Sequence, residues 1–255
     1  MGSSLPHEKV GVISYGIVGY GRIGQRLAAR LPGAVAILKR GEGLDAFIAR
    51  KPAIAVECAS AQALAEYGPS ILAAGIDLVP LSLAALSDPE VERRLMAAAE
   101  AGPGRLEIAP GGIGTLDLLV TAREEGLRRV VYRQLKPPAM WRLTPAASIV
   151  DLASIRSRQV IFKGSVREVA RRMPDNVNSS VAVALAGLGL DATEAELIAD
   201  PAISQTAYEL EVHAAPGTAV LKLGGRDVAA DGDPVDYTTF SLMRILKRRQ
   251  ARVMI

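Results

Sequence analysis

The chain has 255 residues, of which 49% are hydrophobic and 22% charged, so it can bury one or two full hydrophobic cores. Its net charge of +3 is modest, and its basic residues are not interleaved with aromatic residues as in nucleic-acid-binding surfaces. A single cysteine excludes an intramolecular disulfide framework, and no apolar run is long enough to span a membrane. Since the first ten residues also lack a signal-peptide layout, we expect a cytoplasmic protein with no nucleic-acid partner, no membrane partner and no metal site.

The first predicted strand, Val12–Val18, leads into a glycine-rich turn. Gly19, Gly21 and Gly24 form a G-x-G-x-x-G pattern, and residues 23–31 have the apolar spacing of a helix. A strand, a glycine turn and a helix in this order are typical of a dinucleotide-binding fold, in which the helix N-terminus receives the pyrophosphate. The predicted cofactor-binding residues of this region and of the later turn near Cys58 are Gly19, Gly21, Arg22, Ile23, Gly24, Cys58 and Ala59.

Short apolar runs and amphipathic segments then alternate up to residue 109. The runs 34–39, 53–57, 78–81 and 106–109 are predicted as further strands. Residues 61–67 and 89–101 are predicted as helices, the second capped by Asp88. This alternation predicts an α/β fold, a doubly wound parallel sheet of the Rossmann type, over residues 1–109 and completed by a C-terminal helix at 234–255.

The end of the second predicted strand bears on cofactor choice. In NAD-binding units an acidic residue at this point binds the adenosine ribose, but here the strand ends in Lys39 and Arg40. Glu42 follows Gly41, and we expect it to point elsewhere. Either Arg40 and Lys39 pair with a 2′-phosphate, or they are solvated loop residues. We predict NADP as the preferred cofactor, with NAD as the alternative.

The second half does not keep the strict alternation. Its predicted strands, 130–134, 159–162, 194–198 and 208–213, stand among helices at 116–125 and 181–188. This pattern favours a second α+β domain with an open mixed sheet over residues 110–233. The chain closes with a helix at 238–247 and a basic cluster at 247–249, which we interpret as a solvated helix end; a weaker alternative is phosphate or partner binding.

Five motifs occur in order along the chain after the glycine turn: Glu57–Ser60 (ECAS), Pro110–Asp117 (PGGIGTLD), Lys136–Pro138 (KPP), Asn176–Asn178 (NVN) and Asp200–Pro201. With the glycine turn, they resemble the L-aspartate dehydrogenase family over nearly the whole chain. The resemblance implies a Rossmann domain, a substrate-binding and dimerisation domain, and a homodimer. It also implies oxidation of aspartate to iminoaspartate, which either hydrolyses to oxaloacetate and ammonia or feeds nicotinamide cofactor synthesis.

The resemblance also implies roles for single residues. Gly112 stands where the family has a small residue against the nicotinamide, and Asn178 matches an asparagine that binds the cofactor near its reactive end. A polar turn before a buried helix is the alternative for Asn176 and Asn178. We expect Lys136 and Asn176 to bind the substrate, although an exposed lysine before two prolines explains Lys136 equally well.

The family motif after Asp-Pro reads roughly Asn-x-His-Glu, with a catalytic histidine, and this chain departs from it. Tyr208 stands at the histidine position, Thr206 replaces the asparagine and Glu209 is kept. Histidine titrates near neutral pH and suits a general base, whereas a tyrosine, with a pKa of about 10, suits an acid or a hydrogen-bond donor in the reductive direction. We name Tyr208 and His213 as candidate catalytic residues, although on a regular strand they face opposite sides.

Two functions follow from these patterns. The first is an NAD(P)-dependent amino-acid dehydrogenase or imine reductase acting on aspartate or a related amino or keto acid. The second is a catalytically altered or inactive relative that binds the dinucleotide and acts as a sensor or partner protein. The missing histidine keeps the second open, and the motifs of the second half disfavour an unrelated reductase that shares only the Rossmann half.

Overall fold

The computed structural model describes residues 13–124, 126–174, 177–224 and 237–253. These residues form two compact units. The first unit comprises the described residues of Met1–Ser82, Arg93–Ala109 and Thr238–Ile255, and the second those of Leu83–Glu92 and Pro110–Tyr237. None of the described helices is long and apolar enough to cross a membrane.

The first unit is a parallel four-stranded sheet with helices, which confirms the predicted Rossmann-like fold. Its strand order is β2-β1-β3-β4, with every neighbouring pair parallel. The strands are β1 (Tyr15–Val18), β2 (Ala34–Leu38), β3 (Ile54–Glu57) and β4 (Asp77–Pro80). The helices are α1 (Arg22–Arg30), α2 (Leu44–Ala49), α3 (Ala61–Ala73) and α4 (Pro89–Ala101), with α4 beginning in the second unit's segment. Asp88 accepts a hydrogen bond from the Glu90 N–H at 2.9 Å, as expected of its cap position.

The strand predicted at 106–109 is wrong, because only an isolated parallel bridge forms there, from Leu106 to Leu78. Leu78 donates to the Arg105 carbonyl and accepts from the Glu107 N–H at 2.8 and 2.9 Å. The next N–H of β4 in such a ladder would belong to Pro80, and proline has none. The ladder therefore stops after one bridge.

The last helix, α9 (Tyr237–Arg248), closes the core of the first unit. Its buried residues Leu242, Ile245 and Leu246 pack with Tyr15 and Leu27, among others. In the basic cluster at 247–249, Lys247 is exposed as expected of a solvated helix end, but the two arginines form ion pairs. Arg249 pairs with Asp77 and Glu107, Arg248 also pairs with Glu107, and the Arg249 side chain is only 21% exposed. The charges at 248–249 thus tie the helix end to the sheet.

The second unit has a mixed five-stranded sheet in the order β6-β7-β5-β8-β9, as the sequence predicted for an open α+β sheet. The central pair β5–β7 is parallel and the other three pairs are antiparallel. The strands are β5 (Leu127–Lys136), β6 (Gln159–Ser165), β7 (Glu194–Ala199), β8 (Ala207–Ala214) and β9 (Gly217–Leu223). The helices are α5 (Asp117–Glu124), α6 (Pro138–Trp141), α7 (Val166–Arg172) and α8 (Asn178–Ala186).

The segment Leu83–Glu92 belongs to the second unit, whereas local sequence patterns place it in the first. Arg167 on α7 explains this placement, because its guanidinium pairs with Glu92 at 2.8 Å and donates to the carbonyls of Leu86 and Ser87. One arginine, distant in sequence, thus binds the segment at three of its residues.

The two faces of the second sheet differ in polarity. One face buries Val130, Tyr132 and Gln134 of β5 together with Leu210 and Val212 of β8. The other face carries charged side chains from five strands, joined by ion pairs. They are Arg129, Arg133, Lys163, Glu194, Glu196, Glu209, Glu211 and Lys222. We call this second surface the charged face.

Candidate functional site

The glycine turn after β1 has the backbone that its pattern predicts. Gly19 has φ +96°, and a Cβ on it would lie 2.6 Å from the Ala59 Cα and Cβ. A Cβ on Gly24 would collide with the Gly19 carbonyl oxygen, so only glycine lets α1 approach the turn. Gly21 is different, because a Cβ on it would meet no atom within 4 Å. Glycine at position 21 is therefore not required by packing, in contrast to Gly24, and it leaves open space beside the backbone.

The N-terminus of α1 faces a ligand-sized cavity. Gly21 caps this helix without a side-chain hydrogen bond, and its first turn contains no acidic residue. The cavity measures about 900 Å³, and its wall includes Gly19, Gly21, Lys39, Arg40, Cys58 and Ala59. Unpaired N–H groups and the helix dipole at such a terminus favour an anion. Of the cofactor residues predicted in the first unit, Arg22, Ile23 and Gly24 of α1 do not line this cavity.

Lys39 and Arg40 form the part of the cavity wall at the end of β2, and both side chains are exposed. The Lys39 ammonium lies 5.5 Å from the centre of the Tyr20 ring, close enough for a cation–π contact. Glu42 turns back towards the strand, and its Oε2 accepts a 2.8 Å hydrogen bond from the Lys39 N–H. A carboxylate therefore does lie at the end of β2, contrary to the expectation that it points elsewhere, but a backbone donor occupies one of its oxygens.

Glu57, at the end of β3, has a buried carboxylate with four hydrogen bonds. Its Oε1 accepts from the N–H groups of Ala59 and Ser60 at 2.8 and 3.0 Å and from the Ser82 hydroxyl at 2.8 Å. Its Oε2 accepts from the Ser82 N–H at 3.1 Å. Burial raises the pKa of this carboxyl although the four bonds act in the opposite direction. No local sequence pattern indicates this network beyond the acidic residue that precedes Cys58.

Cys58 is half-buried and belongs to the cavity wall. Its thiol donates to the Gly19 carbonyl at 3.2 Å. Burial, and next the nearby Glu57 charge, raises the pKa of the thiol to about 12. Since the thiolate is the nucleophile, a thiol with this pKa is unreactive at neutral pH.

A second polar cluster lies in the second unit, where a glycine turn, a helix start and a strand meet. A Cβ on Gly112 would lie 3.2 Å from the Ser179 Oγ and 3.7 Å from the Tyr208 hydroxyl oxygen. Gly112 belongs to a 3₁₀ turn at Gly111–Ile113, Ser179 to the first turn of α8, and Tyr208 to β8. Two hydroxyl groups therefore face the bare backbone of Gly112. Sequence reasoning found Gly112 and Tyr208 but missed Ser179, which lies next to the Asn-Val-Asn motif.

Lys136 lies on the same side of the sheet as Tyr208. Tyr208 pairs with Gln134 across β5 and β8, and alternate residues of a strand share a face, so Lys136 follows on that face. It is only 6% exposed, so the exposed-lysine interpretation is wrong. Its ammonium lies 4.8 Å from the centre of the Trp141 ring. The Tyr208 ring lies 6.1 Å from that of Tyr132, which places the phenol in an aromatic setting.

His213 does not join this cluster. The register of β8 with both neighbours is regular from Tyr208 to His213, so the bulge that would align the two side chains is missing. His213 lies on the charged face, where its Nε2 is 2.5 Å from a Glu211 oxygen and its Nδ1 is 3.1 Å from the Thr218 hydroxyl. Glu209 lies on the same face and binds Arg158 through both carboxylate oxygens. The expectation of a catalytic His213 fails on this geometry.

Of the two asparagines in the Asn-Val-Asn motif, only Asn178 lies within the described residues. Asn178 begins α8, is exposed, and its Oδ1 accepts from the Ala84 N–H at 2.9 Å. Its amide oxygen therefore fixes the helix start to the segment after Ser82. Asn176 lies outside the described residues. No group of three or more His, Cys, Asp or Glu side chains in the described part of the chain could hold a metal ion.

Comparison with known proteins gives matches across both units. The family model for the C-terminal part of aspartate dehydrogenase matches residues 117–249, and that for the NAD-binding domain of homoserine dehydrogenase matches residues 38–109. The L-aspartate dehydrogenase of Pseudomonas aeruginosa is 39% identical over 227 residues, covering 88% of this chain and 82% of the relative. That of Ralstonia pickettii is 40% identical over 200 residues, covering 78% and 75%.

Solved structures show the same fold. The crystal structure of aspartate dehydrogenase from Thermotoga maritima superposes with a TM-score of 0.77 at 22% identity, covering 96% of this chain and all of the other. An amine dehydrogenase from Mycobacterium smegmatis superposes with a TM-score of 0.53 at 14% identity, covering 94% and 93%. At these identities the likeness concerns the fold alone.

Proposed function

The chain belongs to the L-aspartate dehydrogenase family, and we propose that it transfers a hydride between NAD(P) and C2 of L-aspartate or iminoaspartate. The observation that carries this proposal is the 39% identity to an L-aspartate dehydrogenase over 88% of the chain, because it spans both units rather than the nucleotide-binding half alone. A related amino or keto acid is the alternative substrate, since Tyr208 replaces the family's histidine.

The first unit fits a dinucleotide. The open space at Gly21, the start of α1 without a side-chain cap and the cavity beside them suit a pyrophosphate. The backbone of Gly21 would receive it, whereas the Gly19 N–H already donates to the Leu38 carbonyl at 2.9 Å. The cofactor, when bound, supplies or accepts the hydride. Arg40 and Lys39 favour the 2′-phosphate of NADP, because a guanidinium binds a phosphate through two parallel bonds. We therefore propose NADP as the preferred form.

The second unit supplies the substrate residues. Lys136 carries a cation on a largely buried stem against Trp141, which suits a substrate carboxylate. The Tyr208 hydroxyl can donate a proton, or a hydrogen bond, to an imine nitrogen. The Ser179 hydroxyl faces the same Gly112 backbone and can orient the nitrogen or a carboxylate oxygen. These roles favour the reductive direction, in which the imine gains one hydride and one proton and becomes the amine.

We propose that the protein is a homodimer and that its contact is the charged face of the second unit. A sheet face on which Arg133, Glu196 and Glu211 already form internal ion pairs can be covered without leaving those charges unpaired. A reducing, cytoplasmic location suits the single, half-buried thiol of Cys58. Equilibrium sedimentation tests the dimer, and charge reversal at Arg133 should give monomers.

The reaction is tested by following NADPH oxidation with oxaloacetate plus ammonia, and then with a panel of other keto acids. Turnover of oxaloacetate supports the proposal, and turnover of another acid alone changes the substrate but keeps the reaction class. Tight NADPH binding with no turnover on any acid overturns the enzymatic proposal. That result would favour a sensor or partner protein.

A further inference from the structure

Glu57 has a buried carboxyl group. Its side chain is 1% exposed, and no ion pair among the described residues includes it. Burying an ionised carboxylate is costly unless hydrogen bonds compensate for the lost water. Here three backbone N–H groups and one hydroxyl replace the lost water. Removing the carboxylate would leave these donors without an acceptor.

The four donors come from the loops after two neighbouring strands. Ala59 and Ser60 follow β3, and Ser82 follows β4. A backbone hydrogen bond also links the two strand ends, because the Leu81 N–H donates to the Glu57 carbonyl at 2.8 Å. In open parallel sheets, ligands bind outside the carboxyl ends of the strands, where these loops lie. One side chain thus fixes two loops at the edge where the cavity opens.

The first of these loops rests on the glycine turn. The position that a Gly19 Cβ would take is 2.6–2.7 Å from the Cα, Cβ and N atoms of Ala59, and the Cys58 thiol donates to the Gly19 carbonyl. Ser60 also caps α3, because its hydroxyl accepts from the Ala63 N–H at 3.1 Å. A displacement of Ala59 would therefore move the glycine turn and the start of α3 together.

We propose that Glu57 is a positioning residue for the dinucleotide: its carboxylate holds Ala59 against Gly19 and so keeps the turn in the shape that receives the pyrophosphate. This inference rests on the dinucleotide binding proposed above, but not on the identity of the amino acid. It also assigns the donors. Glu57 already occupies the N–H groups of Ala59 and Ser60, and the Gly19 N–H donates to the Leu38 carbonyl at 2.9 Å. The pyrophosphate therefore takes its hydrogen bonds from the rest of the glycine turn and the start of α1.

The test is Glu57→Gln in the full-length protein. The amide oxygen can replace Oε1 and keep its three bonds, but the amide nitrogen then points a donor at the Ser82 N–H. We expect the dissociation constant for NADPH, measured by fluorescence titration, to rise about tenfold, the value of one unsatisfied buried donor. We expect kcat at saturating NADPH and the keto-acid KM to change by less than about twofold. Glu100→Gln, an exposed change on α4, should leave all three unchanged.

Two further variants keep the proposal open to refutation if Glu57→Gln folds poorly. Ser82→Ala removes only the hydroxyl donor and should raise the NADPH dissociation constant about threefold, whereas Glu57→Asp should bind between Glu57→Gln and wild type. Wild-type affinity in both Glu57→Gln and Ser82→Ala overturns the proposal. So does a loss in Glu57→Gln that affects kcat, keto-acid KM and NADPH affinity alike. A protein that binds NADPH but reduces no acid refutes the proposed reaction, and the affinity measurements still decide the role of Glu57.

Discussion

Tyr208 and His213 lie on the same strand, β8, and face opposite sides of its sheet. Tyr208 faces the buried side with Gln134, close to Gly112 and Ser179, while His213 binds Glu211 and Thr218 on the charged face. The two residues therefore cannot act on one substrate. The hydroxyls of Tyr208 and Ser179 lie near Gly112, and the imidazole of His213 does not.

Tyr208→Phe should lower kcat for NADPH-dependent amination of oxaloacetate by roughly 10²–10⁴-fold, the usual contribution of a general acid. The NADPH dissociation constant should not change. His213→Asn is the matched control on the same strand and should keep kcat within about threefold, since it acts only on the charged face. Equal losses in both variants, or full activity in Tyr208→Phe, would contradict the assignment of Tyr208.

Lys136→Met should raise the KM for oxaloacetate at least about tenfold, because methionine keeps the apolar stem against Trp141 and removes the charge. Lys163→Met removes an ammonium from the charged face and should leave this KM unchanged. Steady-state kinetics at saturating NADPH measures both. An unchanged KM in Lys136→Met would mean that the substrate carboxylates bind elsewhere.

Arg40→Ala should weaken NADPH binding about tenfold or more and change NADH binding by less than about twofold, because only NADPH carries the 2′-phosphate. Arg50→Ala, an exposed change at the end of α2, is the control and should affect neither cofactor. The dissociation constants are measured by titration. NADH binding as tight as NADPH binding in the wild type would remove the basis of the NADP preference.

Gly21→Ala should weaken dinucleotide binding without loss of stability, whereas Gly24→Ala should destabilise the fold. A Cβ on Gly21 enters open space, so Gly21→Ala should keep the wild-type Tm and lose at least about tenfold in dinucleotide affinity. A Cβ on Gly24 collides with the Gly19 carbonyl, so Gly24→Ala should lower the free energy of unfolding by about 1–3 kcal/mol, as overpacked sites do. A calorimetric scan with and without NADPH measures both effects. Full NADPH affinity in Gly21→Ala would place the pyrophosphate away from this turn.

The ion pairs of the charged face should make the free energy of unfolding decrease at acid pH. The hydrogen bond from His213 and then that from Arg133 hold the pKa of Glu211 at about 2, below the ordinary value of 4.5. Because the folded-state pKa is the lower one, this contribution is complete above pH 4.5 and is lost as the pH falls from 4.5 towards 2. Urea unfolding between pH 2 and pH 6 should show this loss, and Glu211→Gln should be less stable at pH 6 and less sensitive to acid. An identical pH dependence in Glu211→Gln and wild type would show that other carboxyls dominate.

The periodicity of the sequence predicted most of the fold, because burial patterns are local. The alternation of apolar runs and helices gave the parallel sheet, and Gly19 to Gly24 gave the turn. The run at 106–109 has the composition of a strand, but its pairing depends on a missing N–H at Pro80, far away in sequence. A local pattern cannot report what the neighbouring strand lacks.

The candidate site was harder to predict, because its parts meet through tertiary packing. Lys136 precedes two prolines and looks exposed in the sequence, yet its position at the end of a central strand buries it. Ser179 and the Glu57 network carry no local signal, since their partners lie in other loops. Only the opposite faces of Tyr208 and His213 followed from counting residues along one strand.

The raised pKa of the Cys58 thiol makes the protein suitable for site-specific labelling. It is the single cysteine of the chain, and its thiol is held at the Gly19 carbonyl with a pKa of about 12. Maleimide dyes, which need an accessible thiolate, should leave it untouched under native conditions. A cysteine placed at Leu143, which is 91% exposed, would then react alone. Fluorophores could be attached to the wild-type background at chosen positions, with no need first to remove a native thiol.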